Sequence, residues 1–196
     1  QNTYVLANAL RPDWDPGDNI VVTNQDHEAN IGAWRRLKET GIEVREWRVN
    51  PETGLLDIGE LAQLICSKTQ LVAVTHASNL AATINPLRSI AELIHGVGGL
   101  LVADGVSFAP HAAIDVQESN CDIYLYSTYK TYGPHLGLMY TSENISHKVT
   151  NQGHFFNADK PTYRLTPAGP DHASVAACAG MVDYYEDVYH HHFQSG

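Results

Sequence analysis

The sequence predicts an α/β fold, a three-layer α/β/α arrangement around a mostly parallel sheet. Three observations carry that prediction. Strand-like apolar runs alternate with helix-like segments along most of the 196 residues. Several of those runs are almost continuously apolar, as strands covered on both faces are, and the helical segments between them supply crossover connections. With 43% hydrophobic and 17% charged residues, the composition is that of a chain that buries a sizeable core.

Taken in order, Val5, Leu6 and Leu10 open a helical pattern close to the start. Ile20, Val21 and Val22 form a short strand after the turn signal Pro16-Gly17-Asp18. Residues 28–40 read as a helix that Gly41 terminates, because glycine takes the left-handed conformation of a C-cap without steric cost. Residues 42–49, IEVREWRV, alternate with period two and read as a strand. Asp57 is a good N-cap for a helix over DIGELAQLIC. LVAVTH, residues 71–76, is a buried strand, and Asn85-Pro86 introduces a helix over LRSIAELIHGVGG. LLVADGVS and IYLYS are two further strands. The turn signal Gly133-Pro134 then separates IYLYS from another strand-like run, and a long helix closes the chain. No internal repeat or low-complexity tract interrupts the pattern.

The bulk properties exclude several classes. A net charge of −10, from 22 acidic against 12 basic residues, argues against nucleic acid or an anionic membrane as partner. No apolar run approaches the roughly 20 residues of a membrane span. Cys66, Cys121 and Cys178 have neither zinc spacing nor a disulfide pattern; they read as small core residues and point to the cytoplasm. The three histidines of YHHHF project in different directions from a helix, which is poor geometry for a metal. Both ends read as cut, so a fragment of a longer chain is expected.

In open α/β sheets, ligands bind beyond the carboxyl ends of the strands. Four runs deliver polar groups there: Asp26 and His27, Ser78 and Asn79, Asp104, and then Ser127, Thr128 and Lys130. Each has a bland alternative. Asp104 is a helix cap or the partner of a buried cation. His27 is a structural histidine or a flat ring stacked on a flat ligand. Asn79 is a loop cap or a donor to a ring oxygen, and the two hydroxyls end a strand or bind phosphate. Lys130, the one amine in a run of tyrosines and strand formers, is a loop lysine or a reactive amine. An aldehyde cofactor needs this combination: a lysine, a carboxylate for a pyridinium, and phosphate donors.

DHEANIGAWRRL, THASNLAATINPL and LLVADGVSFAPHAAIDVQESNCDIYLYSTYKTYGPHLGLMY, in that order, resemble the class V aminotransferase family of fold-type I pyridoxal-phosphate enzymes. The nearest branch is that of the cysteine desulfurases and selenocysteine lyases. The likeness runs from about residue 2 to 192, with 25 residues from Asn79 to Asp104 and 26 from Asp104 to Lys130. It implies the cofactor pyridoxal 5'-phosphate, a small-molecule amino acid substrate, a homodimer and, for a desulfurase, a sulfur-acceptor protein. It also implies roles. Lys130 bonds the cofactor aldehyde and later moves the substrate's α-proton. Asp104 pairs with the pyridine nitrogen, His27 stacks on the ring, and Asn79 sits near its phenolic oxygen. Ser127 is a phosphate ligand, and Tyr129 stands where the family usually has a histidine.

Departures matter as much. Ser107, counted with the cofactor-binding positions, replaces the glutamine usual in desulfurases and is shorter. Gly169 falls where the family lends a phosphate-binding threonine across the dimer. The expected organisation is a cofactor-binding large domain over 1–160 that lacks its N-terminal part, and a connecting segment and helix over 161–196 that lead to an absent C-terminal domain. That absent part would carry the substrate-carboxylate arginine and the sulfur-accepting cysteine, and the fragment itself is expected to be inactive. Other class V lyases, transaminases or epimerases stay open, as do a non-catalytic cofactor-fold binding module and a metal-dependent hydrolase built on Asp26, His27 and Asp104.

Overall fold

The computed structural model describes residues 1–193; Gln194, Ser195 and Gly196, the end of the expected connecting segment, lie outside the described residues. After helix α1 (Asn2–Leu10), strand β1 (Asn19–Thr23) leads into α2 (Glu28–Arg35) and β2 (Glu43–Trp47). Then come α3 (Ile58–Leu64), β3 (Thr69–Thr75), α4 (Leu87–Gly96) and β4 (Leu100–Asp104). The chain continues through β5 (Ile123–Ser127), β6 (Gly137–Thr141), α5 (Glu143–Lys148) and α6 (His172–Phe193).

The strands form one sheet in the order β2-β1-β3-β4-β5-β6. Every neighbouring pair is parallel except β5 and β6, which residues 128–136 join as an antiparallel edge. Alternate residues of the central strands feed two cores, as the period of a strand requires. Ile20, Val22, Leu71, Ala73, Val102, Ile123 and Leu125 pack on one face with Leu6 and Trp34. Val21, Val72, Val74, Leu101, Ala103 and Tyr124 pack on the other with Trp47, Ile90 and Ile94. Helices α1 and α2 therefore cover one side of the sheet and α3 and α4 the other, the expected three layers.

Two local differences from the sequence reading have clear causes. The helix expected over 28–40 is α-helical only to Arg35; Arg36–Thr40 tighten into a 3₁₀ turn before Gly41, whose φ of 87° makes the left-handed cap. The Thr40 hydroxyl donates to the Leu37 carbonyl within that turn, at 2.8 Å. The cysteines divide as well. Cys121 is buried, but Cys66 and Cys178 are only half-buried, and Cys66 lies in the turn after α3 rather than within a helix. Hydrogen bonds from the Lys68 backbone, then from Asn19 and Thr69, lower the Cys66 thiol to about 7. Cys66 is thus a polar-contacted thiol and not a core residue.

Candidate active site

The carboxyl ends of β1, β3, β4 and β5 open on one recess. His27, Thr75, Asn79, Asp104, Val106, Ser107, Ser127, Tyr129 and Lys130 line it, around a volume of ≈ 120 Å³. A wider cleft of ≈ 550 Å³ adjoins it and shares Asn79, Val106, Ser107 and Lys130. The sheet order turns back on itself between β1 and β3, the kind of place where ligands enter open α/β sheets.

Each wall is set by local chemistry. His27 is the N-cap of α2, and its Nδ1 accepts the Ala29 N–H at 3.0 Å, which leaves Nε2 as the protonated nitrogen and fixes the ring plane. Asp104 is 8% exposed. Its Oδ1 accepts the Val106 N–H at 2.8 Å, and among the described residues no other side-chain or backbone donor reaches the carboxylate. Burial pushes its carboxyl up, against the Val106 hydrogen bond and the nearby charges of His27 and Lys130. Gly105 follows because a Cβ there would lie 2.1 Å from the Tyr124 ring. Backbone bonds from Gly105 to Leu125 and from His76 to the Asp104 carbonyl, 2.7 and 2.8 Å, lock the strand end.

Lys130 lies one turn beyond β5, in the 3₁₀ segment Thr128–Thr131, and is exposed. Thr128, fully buried, anchors that segment: its hydroxyl donates to the Leu136 carbonyl at 3.1 Å and its own carbonyl accepts from Thr131 at 2.9 Å. Among the described residues no hydrogen bond or ion pair holds the Lys130 amine, and it sits on the boundary of both cavities. Ser127, Ser107 and Asn79 likewise make no side-chain hydrogen bonds among the described residues, so their polar atoms are available to the recess. Tyr129 stacks on His135, with centroids 4.7 Å apart and planes 4° off parallel. All seven residues singled out from the sequence, Lys130, His27, Asp104, Asn79, Ser107, Ser127 and Tyr129, therefore line one recess. That is placement; their roles are taken up below.

Other residues that shape the site were not singled out. Buried Gln25 donates to the Gly54 carbonyl and the Thr83 hydroxyl, and Asn85 donates to Gln25 and to the Thr75 carbonyl, at 2.7–2.9 Å. These bonds tie the loop that carries Asn79 to the ends of β1 and β3. Ala82 in that loop has a positive φ of 53°. His76, read as having no role, stacks on Phe108 at 3.6 Å and meets the Tyr124 hydroxyl at 2.8 Å; burial lowers it to about 4, so it is neutral. The sequence signal for it was its place directly after an apolar strand.

The donor set fits a flat, cationic, phosphate-bearing ring. A buried carboxylate with one backbone donor and an uncompensated desolvation cost accepts a pyridinium well. Among the described residues, no three His, Cys, Asp or Glu side chains are grouped to hold a metal ion. Asp26, His27 and Asp104 thus lack the arrangement of the hydrolase alternative.

Comparison with known proteins agrees. The family model Aminotransferase class-V matches residues 1–164. Over 160 residues the chain is 43% identical to an aminotransferase-like protein, FGM3, of Gibberella zeae, covering 79% of this chain and 39% of that protein. It is 33% identical over 193 residues to a cysteine desulfurase-like protein, ustD, of Aspergillus flavus, covering 94% and 44%. A cysteine desulfurase of Yersinia pseudotuberculosis is 32% identical, with 88% and 46% covered. The chain thus spans less than half the length of these relatives. In fold it matches the cysteine desulfurase CsdA of Escherichia coli with a TM-score of 0.86 at 24% identity, over 95% of this chain and 50% of that one.

Proposed function

The chain belongs to the class-V aminotransferase family, and from that premise we propose that it is the core of a pyridoxal-phosphate-dependent enzyme acting on an amino acid, in the manner of a cysteine desulfurase or selenocysteine lyase. The observation that carries the reading is the placement on one recess of a buried carboxylate, Asp104, and an amine, Lys130, neither of which has an ion-pair partner within salt-bridge distance among the described residues. When bound, the cofactor supplies an aldehyde for an amine and an electron sink for the charge left by a departing α-proton.

The residues divide the remaining work. Asp104 holds positive charge at the buried end of the recess, where low polarity strengthens the attraction. His27, oriented by its cap, offers a ring face over the recess. Asn79 and Ser107 supply polar atoms on one rim, and the Ser127 and Tyr129 hydroxyls supply donors for a phosphate on the other. Lys130, on a short anchored turn, would hold the cofactor's aldehyde and would move the α-proton; among the described residues its exposed amine has no hydrogen bond or ion pair to give up first.

The finer features follow the same reading. The protein acts in the cytoplasm, as its free thiols fit a reducing compartment. Among the described residues no helix is long and apolar enough to cross a membrane. It works as a homodimer, and a sulfur-acceptor protein is its partner if sulfide is the product. Residues 1–160 form the cofactor-binding part and 161–196 lead to a further domain. A second reading, transamination or another class V lyase or epimerase reaction, is favoured by Ser107 in place of a longer amide and by the aminotransferase-like relative.

Borohydride reduction and peptide mass spectrometry of the protein at its full natural length test the proposal. The adduct is expected on Lys130, absent from Lys130→Ala, and present but with turnover reduced by orders of magnitude in Asp104→Ala. An adduct on Lys38, Lys68, Lys148 or Lys160, or none, removes the basis of the reading. Sulfide release from cysteine against keto-acid formation separates the two activities.

A further inference from the structure

A second carboxylate lies behind Asp104. Asp26 follows β1, and its Oδ2 accepts from the Thr23 hydroxyl at 3.1 Å while its Oδ1 accepts from Asn30 Nδ2 at 3.2 Å. Both donors are neutral. Among the described residues no cation pairs with Asp26, and the charged group that faces it is Asp104 on β4. His27 at the start of α2 and Lys130 beyond β5 act on Asp104 instead. Asn30 is fully buried, and among the described residues its Oδ1 has no hydrogen-bond partner. A buried amide oxygen without a donor is costly, and a carboxylate cannot supply one, whereas a carboxylic acid can.

Three features thus meet at one point: a carboxylate without a cation, a second carboxylate close by, and an orphaned amide oxygen on the group that contacts the first. One proton on Asp26 removes the repulsion between the two carboxylates and, with the Asn30 amide reversed, gives its oxygen a donor. Resting on the reading above, we propose that Asp26 is a positioning residue that carries a proton while Asp104 is ionised, donates it to the Asn30 carboxamide, and leaves the floor of the recess with a single negative charge, on Asp104. The Asn30 amide turns half a revolution to accept it, since its oxygen and nitrogen occupy interchangeable places. Burial first, and then the Asp104 charge, push the Asp26 carboxyl up to about 7. Asp104, the carboxylate on which His27 and Lys130 act, stays the one that meets a cationic ring. Deprotonation of Asp26 sets a second negative charge behind it and raises its own affinity for protons.

The test uses the protein at its full natural length without cofactor. Carboxyl carbon NMR is expected to show one resonance that titrates near 7 rather than near the ordinary 3.8 and that disappears in Asp26→Asn. Stability gives a second readout. A carboxyl raised in the folded state binds more protons than in the unfolded chain, so wild type loses stability relative to Asp26→Asn as pH rises from about 4 to about 7. Titration in the ordinary range, or a pH-independent stability difference, overturns the inference. If Asp26→Asn does not fold, the resonance is assigned in wild type through its proximity to Asn30, and the same titration decides. Because no cofactor is present, failure here leaves the Lys130 adduct untouched, and a missing adduct leaves this titration untouched.

Discussion

Single side chains around the recess differ most in what holds them. Among the described residues Lys130 is exposed with no hydrogen bond or ion pair, Asp104 is buried with one donor, and His76 is enclosed between Phe108 and Tyr124. His76 has a measurable consequence. Its folded-state value of about 4 lies below the ordinary 6.5, so the unfolded chain binds the extra proton first. Its share of stability is complete above about 6.5 and is lost as pH falls toward 4. His76→Asn should therefore be less stable than wild type at neutral pH, with the difference shrinking as pH falls through that window. Denaturant unfolding at a series of pH values measures it, and a constant difference would show that His76 is not kept neutral by burial. Asp26 slopes the other way over much of the same range, so each is resolved only by subtracting its own variant.

Elements position those side chains through their ends. β4 ends in Asp104, and the chain can leave the sheet only by passing over the Tyr124 ring, which Gly105 permits. A methyl at 105 would contact rigid ring atoms, so Gly105→Ala should cost about 1–3 kcal/mol, the usual range for overpacking, and should displace Asp104 and the Val106 N–H that holds it. A thermal midpoint equal to wild type, with cofactor affinity unchanged, would refute that account. The turn after β5 works the same way: buried Thr128 carries the bonds, and exposed Lys130 uses the position they fix. The β1 and β3 loops are joined by Gln25 and Asn85, polar residues with nothing in their sequence context to mark them as buried.

At the scale of the whole molecule, the sheet assembles one edge from residues that lie far apart in sequence, from His27 to Lys130. Helix α6 contrasts with the rest. None of its residues is buried, and Val175, Val182, Tyr185, Val188, Tyr189 and Phe193 are exposed on it. Apolar and aromatic side chains in such number favour further contacts, in keeping with the proposed homodimer. Sedimentation of the protein at its full natural length should give a dimer that persists on dilution, with activity falling where it dissociates. Full activity in a monomer would refute that assembly.

Much of this was legible in the amino-acid order. The apolar runs at 20–22, 71–76 and 100–103 became central strands, because a strand covered on both faces admits little else. The polar residues just after those runs had to emerge at one edge, since parallel strands share a direction, and so His27, Asn79, Asp104 and Lys130 could be grouped beforehand. Burial and long-range pairing were decided by the tertiary structure alone. Nothing local distinguishes Asp104, with one donor, from Asp26, with neutral donors and a second carboxylate for a neighbour. His76, Gln25 and Asn85 gained their partners through contacts that span tens of residues, 60 between Gln25 and Asn85. Cys66 likewise gained Asn19, 47 residues away in the chain. Periodicity is a property of neighbours in the chain, whereas desolvation and hydrogen-bond pairing are properties of neighbours in space, which the chain acquires only on folding.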